Sequence, residues 1–328
     1  MPGSHAVGER FDKYFKSPLP YLDSFRAVTM TSASFMNALQ GEQVMAEFRT
    51  LTPTQRDRLS KTVGDKMNIY EGSWGSGDAF LFNTRRKPFD DIRVRKALNI
   101  AVDRWGAAAA LGSTIGLRYV GTVQRPVSPW AATEAEMVAM TGFGRNPAAA
   151  KEEARRLLAE AGQSNLKIRL INRNIANPYT SIGIYLVDQW KQIGVTTEHV
   201  QLDVAQLETS LTGGDFDAAI DFITVLYDEP SLEFDRYLST DRTTNNPAHY
   251  IDRHVDELFD KQDREHDPQK RRQIVRELEG YLLDQSYHVP FLWQARIVAI
   301  RNYIKGWKFT HQTYVGQDLA TVWLDRPT

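Results

Sequence analysis

Helix-like and strand-like patterns of apolar and polar residues alternate along most of this chain. In some stretches apolar residues recur every three or four positions, as on one face of a helix, and in others they alternate with polar residues, as along a strand. No segment repeats at a fixed period, which argues against a repeat architecture. The succession of the two patterns predicts an α/β protein.

Capping residues and glycines divide the patterns into separate elements. Thr52 before Pro53, Asp90 or Asp91, and Asn146 before Pro147 are typical helix starts. We predict helices over residues 32–41, 53–64, 91–102, 147–162, 179–194, 204–214, 232–239, 252–265 and 269–285. We predict strands over residues 24–28, 42–48, 66–72, 78–83, 166–172, 195–203 and 216–225, and a strand-rich tail after residue 288.

The glycine-rich stretch "GSWGSG", residues 72–77, separates two of the predicted strands. A phosphate-binding loop would end in Gly-Lys-Ser/Thr, and a nucleophile elbow would have glycines two residues before and after its serine. Ser76 instead has Trp74 and Asp78 at those positions. We therefore predict a flexible turn, which could equally serve as a hinge.

Charge is balanced over the molecule as a whole but is concentrated in one stretch. The 328 residues are 42% hydrophobic, enough for a sizeable core, and 40 basic against 41 acidic residues give a net charge of -1. Seven basic side chains crowd residues 82–104, "FNTRRKPFDDIRVRKALNIAVDR". Nucleic-acid surfaces combine such charge with aromatic platforms or a recognisable motif, and neither accompanies it here. We predict a solvated, salt-bridged helix and no nucleic-acid partner.

Candidate chemistry elsewhere in the chain is sparse. The absence of cysteine excludes disulfides and thiolate chemistry, and the seven histidines lack metal-site spacing, since His249 and His254 are five residues apart. Asp228 and Glu229 could perform acid/base work, but adjacent residues on a turn usually point apart. We expect no metal, no cofactor and no enzyme activity. A soluble hydrolase or an interaction module remains the alternative class.

No stretch of the chain looks like a membrane or export segment. The first residues, "MPGSHAVGERFDKYF", lack the apolar core of a signal peptide, and no run approaches about twenty apolar residues. We expect neither a signal peptide in this chain nor a membrane span.

Several segments, taken in order, resemble the extracytoplasmic solute-binding proteins of peptide/nickel-type ABC importers, the dipeptide- and oligopeptide-binding family. In that family a strand ending in Asn leads through Pro-Phe and Asp into a helix of the form Arg-x-Arg-x-Ala-Leu, closed by Ala-x-Asp-Arg. "NPAAAKEEARRLLAEAG", "GDFDAAI", "YDEPSLEFDRYLS" and "TVWLD" continue the likeness. The matching positions of the first stretch are Asn83, Pro88, Phe89, Asp91, Arg93, Arg95, Ala97, Leu98, Ala101, Asp103 and Arg104.

The resemblance implies a periplasmic-binding-protein-like two-lobe α/β fold of the large peptide-binding type. Residues 1–76 would be a partial first lobe, 77–291 a complete second lobe, and 292–328 the return to the first. The hinge strands would lie around Gly75–Phe82 and Pro290–Ala295. The family's "PYLD" turn usually comes late in lobe one, so we expect an N-terminally truncated chain with impaired binding.

The resemblance also implies a function without bond-making chemistry. Such proteins capture a peptide or related small solute between their lobes and deliver it to an ABC permease of the inner membrane. We expect a periplasmic or extracytoplasmic monomer. An oligosaccharide, an opine or a nickel chelate is the alternative kind of solute.

Ligand contact is expected at the turn after the strand 216–225. In oligopeptide binders of the family this turn reads Trp-x-x-Asp-Tyr-x-x-Pro, and its Asp pairs with the ammonium group of the peptide. Tyr227 matches, but Leu226 stands in place of the Asp, and Asp228 could substitute only from two residues on. A solute without a free α-ammonium group is therefore as plausible as a peptide. The predicted cleft-lining residues are Trp74, Thr224, Tyr227, Asp228 and Tyr314.

Overall fold

The computed structural model describes residues 4–47, 49–313 and 318–326 and resolves them into two compact units. The first unit combines Met1–Trp74 with Ala295–Thr328, and the second is Gly75–Gln294. The chain passes from one unit to the other inside two long strands, β3 (Met67–Phe82) and β8 (His288–Arg301).

The first unit holds a hairpin, two helices and the outer parts of the two long strands. β1 and β2 pair antiparallel, and Thr52 caps helix α2 before Pro53, as predicted. The structure adds a capping box between Thr52 and Gln55. A 3-10 turn at Gly64–Lys66 follows the second helix. The other elements of this unit besides β3 and β8 are β1 (His5–Glu9), β2 (Ser24–Val28), α1 (Ser32–Gln40), α2 (Pro53–Val63), β9 (Ile304–Lys305) and β10 (Trp323–Leu324).

The second unit is built of alternating helices and strands. A π-helical turn at Ala176–Thr180 and a 3-10 turn at Asp235–Tyr237 adjoin two of its helices. Its other elements are α3 (Ile92–Ile100), α4 (Arg104–Ile115), β4 (Leu117–Tyr119), α5 (Glu134–Val138), α6 (Pro147–Glu160), β5 (Lys167–Arg173), α7 (Ser181–Lys191), β6 (Thr196–Leu202), α8 (Val204–Gly213), β7 (Ala218–Thr224), α9 (Pro230–Phe234), α10 (Arg253–Arg264) and α11 (Pro268–Gln285).

A mixed six-stranded sheet in the order β4-β8-β3-β7-β5-β6 organises the second unit. β5 runs parallel to β6 and β7, while β3 pairs antiparallel with β7. Because side chains alternate across a strand, Phe80 and Ile220 enter one apolar cluster, and Leu81 and Ala219 enter another on the opposite face. Helices therefore cover buried sheet faces, which confirms the predicted α/β class.

The glycine-rich stretch is not a turn, and that prediction was wrong. Residues 72–77 lie within β3, which is one continuous strand. A Cβ atom on Gly72 would lie 2.9 Å from the Phe309 ring, and one on Gly77 would lie 2.9 Å from the Trp293 ring. These glycines therefore permit close packing of aromatic rings against an extended backbone.

The strand predicted over residues 42–48 is also absent from the described part of that segment. Only Ala46 forms a bridge, with Ile300, and Phe48 lies outside the described residues. Glu42 has a positive φ of 59°, and the Glu47 carboxylate accepts the Arg49 N–H at 2.6 Å. These local turns replace a regular strand.

Two arginines of the basic stretch 82–104 are buried, contrary to the solvated helix that we predicted. Arg95 is 3% exposed and donates to the carbonyl oxygens of Phe89 at 2.7 Å and Gln285 at 3.0 Å. Arg104 is buried as well and donates to the Pro290 carbonyl at 2.9 Å. Burial lowers the pKa of Arg104 to about 9.

Arg93 behaves as the sequence predicted. Its guanidinium is about half exposed and pairs at 2.6 Å with Asp91, the residue that caps α3. The stretch therefore combines surface ion pairing with buried cations whose partners are backbone carbonyls. It offers no continuous basic face.

A buried carboxylic acid lies on β3 within the second unit. Asp78 is fully buried, and its Oδ2 accepts a hydrogen bond from Gln294 Nε2 at 2.9 Å. Its Oδ1 has no hydrogen-bond partner among the described residues. Burial raises the pKa of Asp78 to about 7, with a smaller contribution from the Asp221 carboxylate.

Replacing Arg95 should destabilise the second unit far more than replacing Arg93. Arg95→Ala leaves buried carbonyl oxygens without donors, so we expect a loss of about 3 kcal/mol in the free energy of unfolding. Arg93→Ala, the matched control, removes a solvent-screened ion pair and an exposed hydrogen bond to the Glu160 carbonyl, so it should have a much smaller effect. Urea unfolding of both variants measures the difference, and equal losses would contradict this assignment of buried and surface roles.

Asp78 should make the stability of the protein fall as pH rises. The folded state keeps the proton up to a pH of about 7, whereas the unfolded chain loses it near 3.8, so folding weakens between those values. The slope is at most about 1.4 kcal/mol per pH unit. Asp78→Asn can still accept from Gln294 and should remove this slope.

Urea unfolding from pH 4.5 to 7.5 tests the prediction for Asp78. The free energy of unfolding of Asp78→Asn, relative to that of the wild-type protein, should increase with pH. For the control Glu152→Gln, at an exposed helical position, the same difference should be constant. A gain from Asp78→Asn that does not vary with pH would show that Asp78 is already ionised in the folded state.

Candidate functional site

The end of β7 and the turn that follows it form an exposed apolar surface. The register places Thr224, the last residue of β7, opposite Ser76 on β3. Phe222 is 37% exposed, Leu226 42% and Tyr227 56%. Since residues of a strand alternate between its faces, Phe222 and Thr224 share the exposed face. We call Phe222, Thr224, Leu226 and Tyr227 the β7 surface.

The acid that precedes this surface is paired internally. Arg236 donates to the Asp221 carboxylate at 2.5 Å and to the Phe222 carbonyl at 2.7 Å. Both charged side chains are largely buried. Arg236 therefore neutralises Asp221, so Asp221 offers no free negative charge to a solute.

Asp228 is held by two hydrogen bonds from one guanidinium. Arg125 donates from Nε to Oδ1 at 2.8 Å and from Nη2 to Oδ2 at 2.7 Å. The Trp130 indole N–H donates to the Asp228 carbonyl at 3.0 Å. Two parallel hydrogen bonds between a guanidinium and a carboxylate fix the orientation of both groups and also compensate their charges. The pairing counts against Asp228 as an anchor for a ligand ammonium group.

The next acid, Glu229, is also committed. Its carboxylate pairs with Arg271 of α11 and accepts the Ser231 N–H at 3.3 Å as the N-cap of α9. The Arg271 guanidinium lies 5.0 Å from the centre of the Trp130 ring, which already holds the Asp228 backbone. The turn is thus held both at Asp228 and at Glu229.

The four residues of the β7 surface are uncharged, and the acids next to them are paired. Each of the acids Asp221, Asp228 and Glu229 is paired with an arginine. Among the described residues, no group of three or more His, Asp or Glu side chains could hold a metal ion. This surface can contribute apolar contact, aromatic stacking and hydrogen bonds rather than charge.

Arg173 borders the β7 surface and was missed from the sequence. It ends β5, and its guanidinium lies 4.4 Å from the centre of the Phe222 ring and 5.2 Å from that of Tyr179. It also hydrogen-bonds to the Tyr179 hydroxyl at 3.0 Å and to Glu208 at 3.1 Å. The alternation of β7 could have identified Phe222, because it lies two residues before Thr224.

The five predicted cleft residues are not all at this surface. Thr224 and Tyr227 belong to it, and Asp228 lies directly behind it. Trp74 lies in the first unit, is largely buried, and has the Arg49 guanidinium 5.9 Å from its ring centre. Tyr314 lies outside the described residues. Solute contact by all five stays a prediction.

Within the described ranges, no helix has both the length and the apolar composition needed to cross a bilayer.

Comparison with known proteins identifies relatives along the chain. The sequence profile described as "Bacterial extracellular solute-binding proteins, family 5 Middle" matches residues 1–245. The periplasmic oligopeptide-binding protein OppA of Haemophilus influenzae is 23% identical over 325 residues, which cover 93% of this chain and 57% of the relative. OppA of Escherichia coli is 26% identical over 273 residues, covering 80% and 46%. The chain thus spans about half the length of the curated relatives it matches.

Solved structures show the same fold. The ABC transporter substrate-binding protein CtaP of Listeria monocytogenes matches with a TM-score of 0.82 and 21% identity, over 99% of this chain and 64% of that one. AgaA from A. tumefaciens R10, solved with agropinic acid, matches with a TM-score of 0.80 and 20% identity, over 100% and 66%.

These likenesses confirm part of a two-lobe binding-protein fold, and the relatives are named as binding proteins rather than enzymes. The profile match over most of the chain agrees with the resemblance read from its ordered motifs. The chain belongs to the bacterial extracellular solute-binding proteins of family 5.

Proposed function

We propose that this chain is part of the solute-binding component of an ABC importer, which captures a peptide or related small solute and delivers it to a membrane permease. The family profile and the periplasmic relatives support this role and an extracytoplasmic location. The observation that carries the proposal is the β7 surface, where apolar side chains stay exposed while the neighbouring acids are paired internally. The component acts as a monomer.

The two units correspond in this proposal to a partial first lobe and a second lobe. The sequence suggested the segments 1–76, 77–291 and 292–328, and the structure divides at Trp74/Gly75 and at Gln294/Ala295. The continuity of β3 and β8 across those points supports a hinge role for the segments around Gly75–Phe82 and Pro290–Ala295. A chain lacking part of lobe one would bind its solute weakly.

The solute presents an uncharged group to the β7 surface. Leu226 occupies the position where oligopeptide binders of the family carry the ammonium-pairing Asp, and Asp228 is already paired with Arg125. A free ammonium group placed here would lose its hydration without gaining a counter-charge. A blocked peptide fits this surface.

A second candidate is a non-peptide solute such as an opine, an oligosaccharide or a nickel chelate. The same Leu226 favours it, because nothing at that position selects for a peptide terminus. Soluble hydrolase or interaction-module roles have no comparable support at the β7 surface.

The identity of residue 226 should decide whether a free ammonium group is recognised. With a library of tripeptides in free and N-acetylated forms, the unchanged protein should show no preference for the free form. Leu226→Asp should acquire one of about tenfold or more, because an exposed carboxylate then faces the ammonium group. Isothermal calorimetry on this protein measures both preferences.

Leu232→Asp is the matched control, since Leu232 is also exposed but lies on α9 beyond the turn. It should leave the preference unchanged. A tenfold preference of the unchanged protein for free amino termini would overturn the proposed solute class. Failure of peptides, oligosaccharides, opines and nickel chelates alike to raise the Tm of the protein would overturn the solute-binding role itself.

A further inference from the structure

One guanidinium fixes the turn that carries the exposed residues Leu226 and Tyr227. Arg125 comes from a distant part of the chain, is largely buried, and uses two nitrogens to hold both oxygens of Asp228. Asp228 immediately follows Tyr227, so this pair holds the backbone next to the exposed ring. The indole of Trp130 adds a hydrogen bond to the same residue.

A second acid, Glu233, is buried beside the same arginine. It is 6% exposed, and neither carboxyl oxygen has a hydrogen-bond partner of normal geometry among the described residues. Burial raises the pKa of Glu233 well above its usual range, and the Asp228 carboxylate raises it further. The backbone N–H and the guanidinium of Arg125 lower the pKa of Glu233, but by less than burial and the Asp228 carboxylate raise it. Burial therefore makes Glu233 hold its proton more strongly than an ordinary glutamic acid does.

The other groups around Glu233 do not provide a second counter-charge. Arg236 is committed to Asp221, and Arg271 is committed to Glu229, whose carboxylate itself disfavours charge on Glu233.

Two uncharged rings adjoin this region: that of Tyr237, which lies near Glu233, and that of His288, which stacks on Tyr237. Tyr237 belongs to the 3-10 turn Asp235–Tyr237, and burial holds its pKa well above its usual range. His288 of β8 stacks on Tyr237 at 5.3 Å, and burial keeps its pKa well below its usual range, so the ring is neutral. An ionised Glu233 would thus have Arg125 as its nearest source of compensation.

We propose that Arg125 is the positioning residue of the turn 226–229 and that protonated Glu233 keeps it in place. While Glu233 is uncharged, Arg125 donates from Nε and Nη2 to the Asp228 carboxylate and from Nη1 to the Pro126 carbonyl. When Glu233 releases its proton to solvent, two carboxylates compete for one guanidinium and the turn loosens. The consequence for solute capture rests on the proposed function, whereas the behaviour of the turn does not.

Hydrogen–deuterium exchange of a peptide covering residues 225–234 tests this without a solute. Protection is measured from pH 6 to pH 10 and expressed relative to the unfolded chain, which removes the intrinsic pH dependence of exchange. Protection in the unchanged protein should fall by about tenfold or more as pH rises. In Glu233→Gln, which cannot ionise, it should stay level.

Arg125→Lys should show low protection at every pH, because a single ammonium cannot hold both carboxylate oxygens. Glu152→Gln is the control and should follow the unchanged protein. Exchange in β6, remote in sequence from the turn, is measured in parallel, so that global unfolding of any variant is recognised. If Arg125→Lys does not fold, the pH dependence of protection in Glu233→Gln tests the proposal by itself.

Level protection in the unchanged protein, or the same fall with pH in Glu233→Gln as in the unchanged protein, would overturn the proposal. Full protection of a folded Arg125→Lys would also overturn it. Failure to bind any solute would remove the proposed function while leaving the exchange result unaffected, so the two failures are distinguishable.

Discussion

The compensation of buried charge is the constraint on which the second unit depends. A charge taken out of water costs several kcal/mol unless partners replace its hydration. Arg95 and Arg104 meet this requirement with backbone carbonyls, whereas Asp221 and Asp228 meet it with arginines. Since the acids near the end of β7 are used in this way, the surface they support is left apolar and uncharged.

The same constraint connects the fold with specificity. Arg125 pairs with Asp228 across 103 positions of the sequence, and that pair fixes the turn bearing Leu226 and Tyr227. Under the proposed function, a substitution at one exposed residue of this turn would change which solute is bound, while the Arg125–Asp228 pair keeps the backbone of the turn in place.

Local signals in the sequence were sufficient for most of the elements. Thr52, Asp91 and Asn146 cap helices where predicted, because capping depends on residues only a few positions away. The glycines of β3 were misread because their reason lies elsewhere in the chain. Gly72 faces Phe309 and Gly77 faces Trp293, and nothing local indicates that a ring will pack there.

The candidate site was predicted in part for the same reason. Thr224 and Tyr227 follow from the ordered motifs of the family and from strand alternation. Arg125, Arg173 and the buried state of Glu233 depend on tertiary packing that brings distant segments together. Arg95 and Arg104 looked like surface charge because sequence shows charge but not burial.

The most direct test of this account is a crystal structure of the protein purified with its natural solute, with the solute identified by mass spectrometry. We predict that Arg125 holds both oxygens of Asp228 and that an uncharged part of the solute contacts Leu226 or Tyr227. A solute ammonium group bound to the Asp228 carboxylate, with Arg125 displaced, would contradict the account.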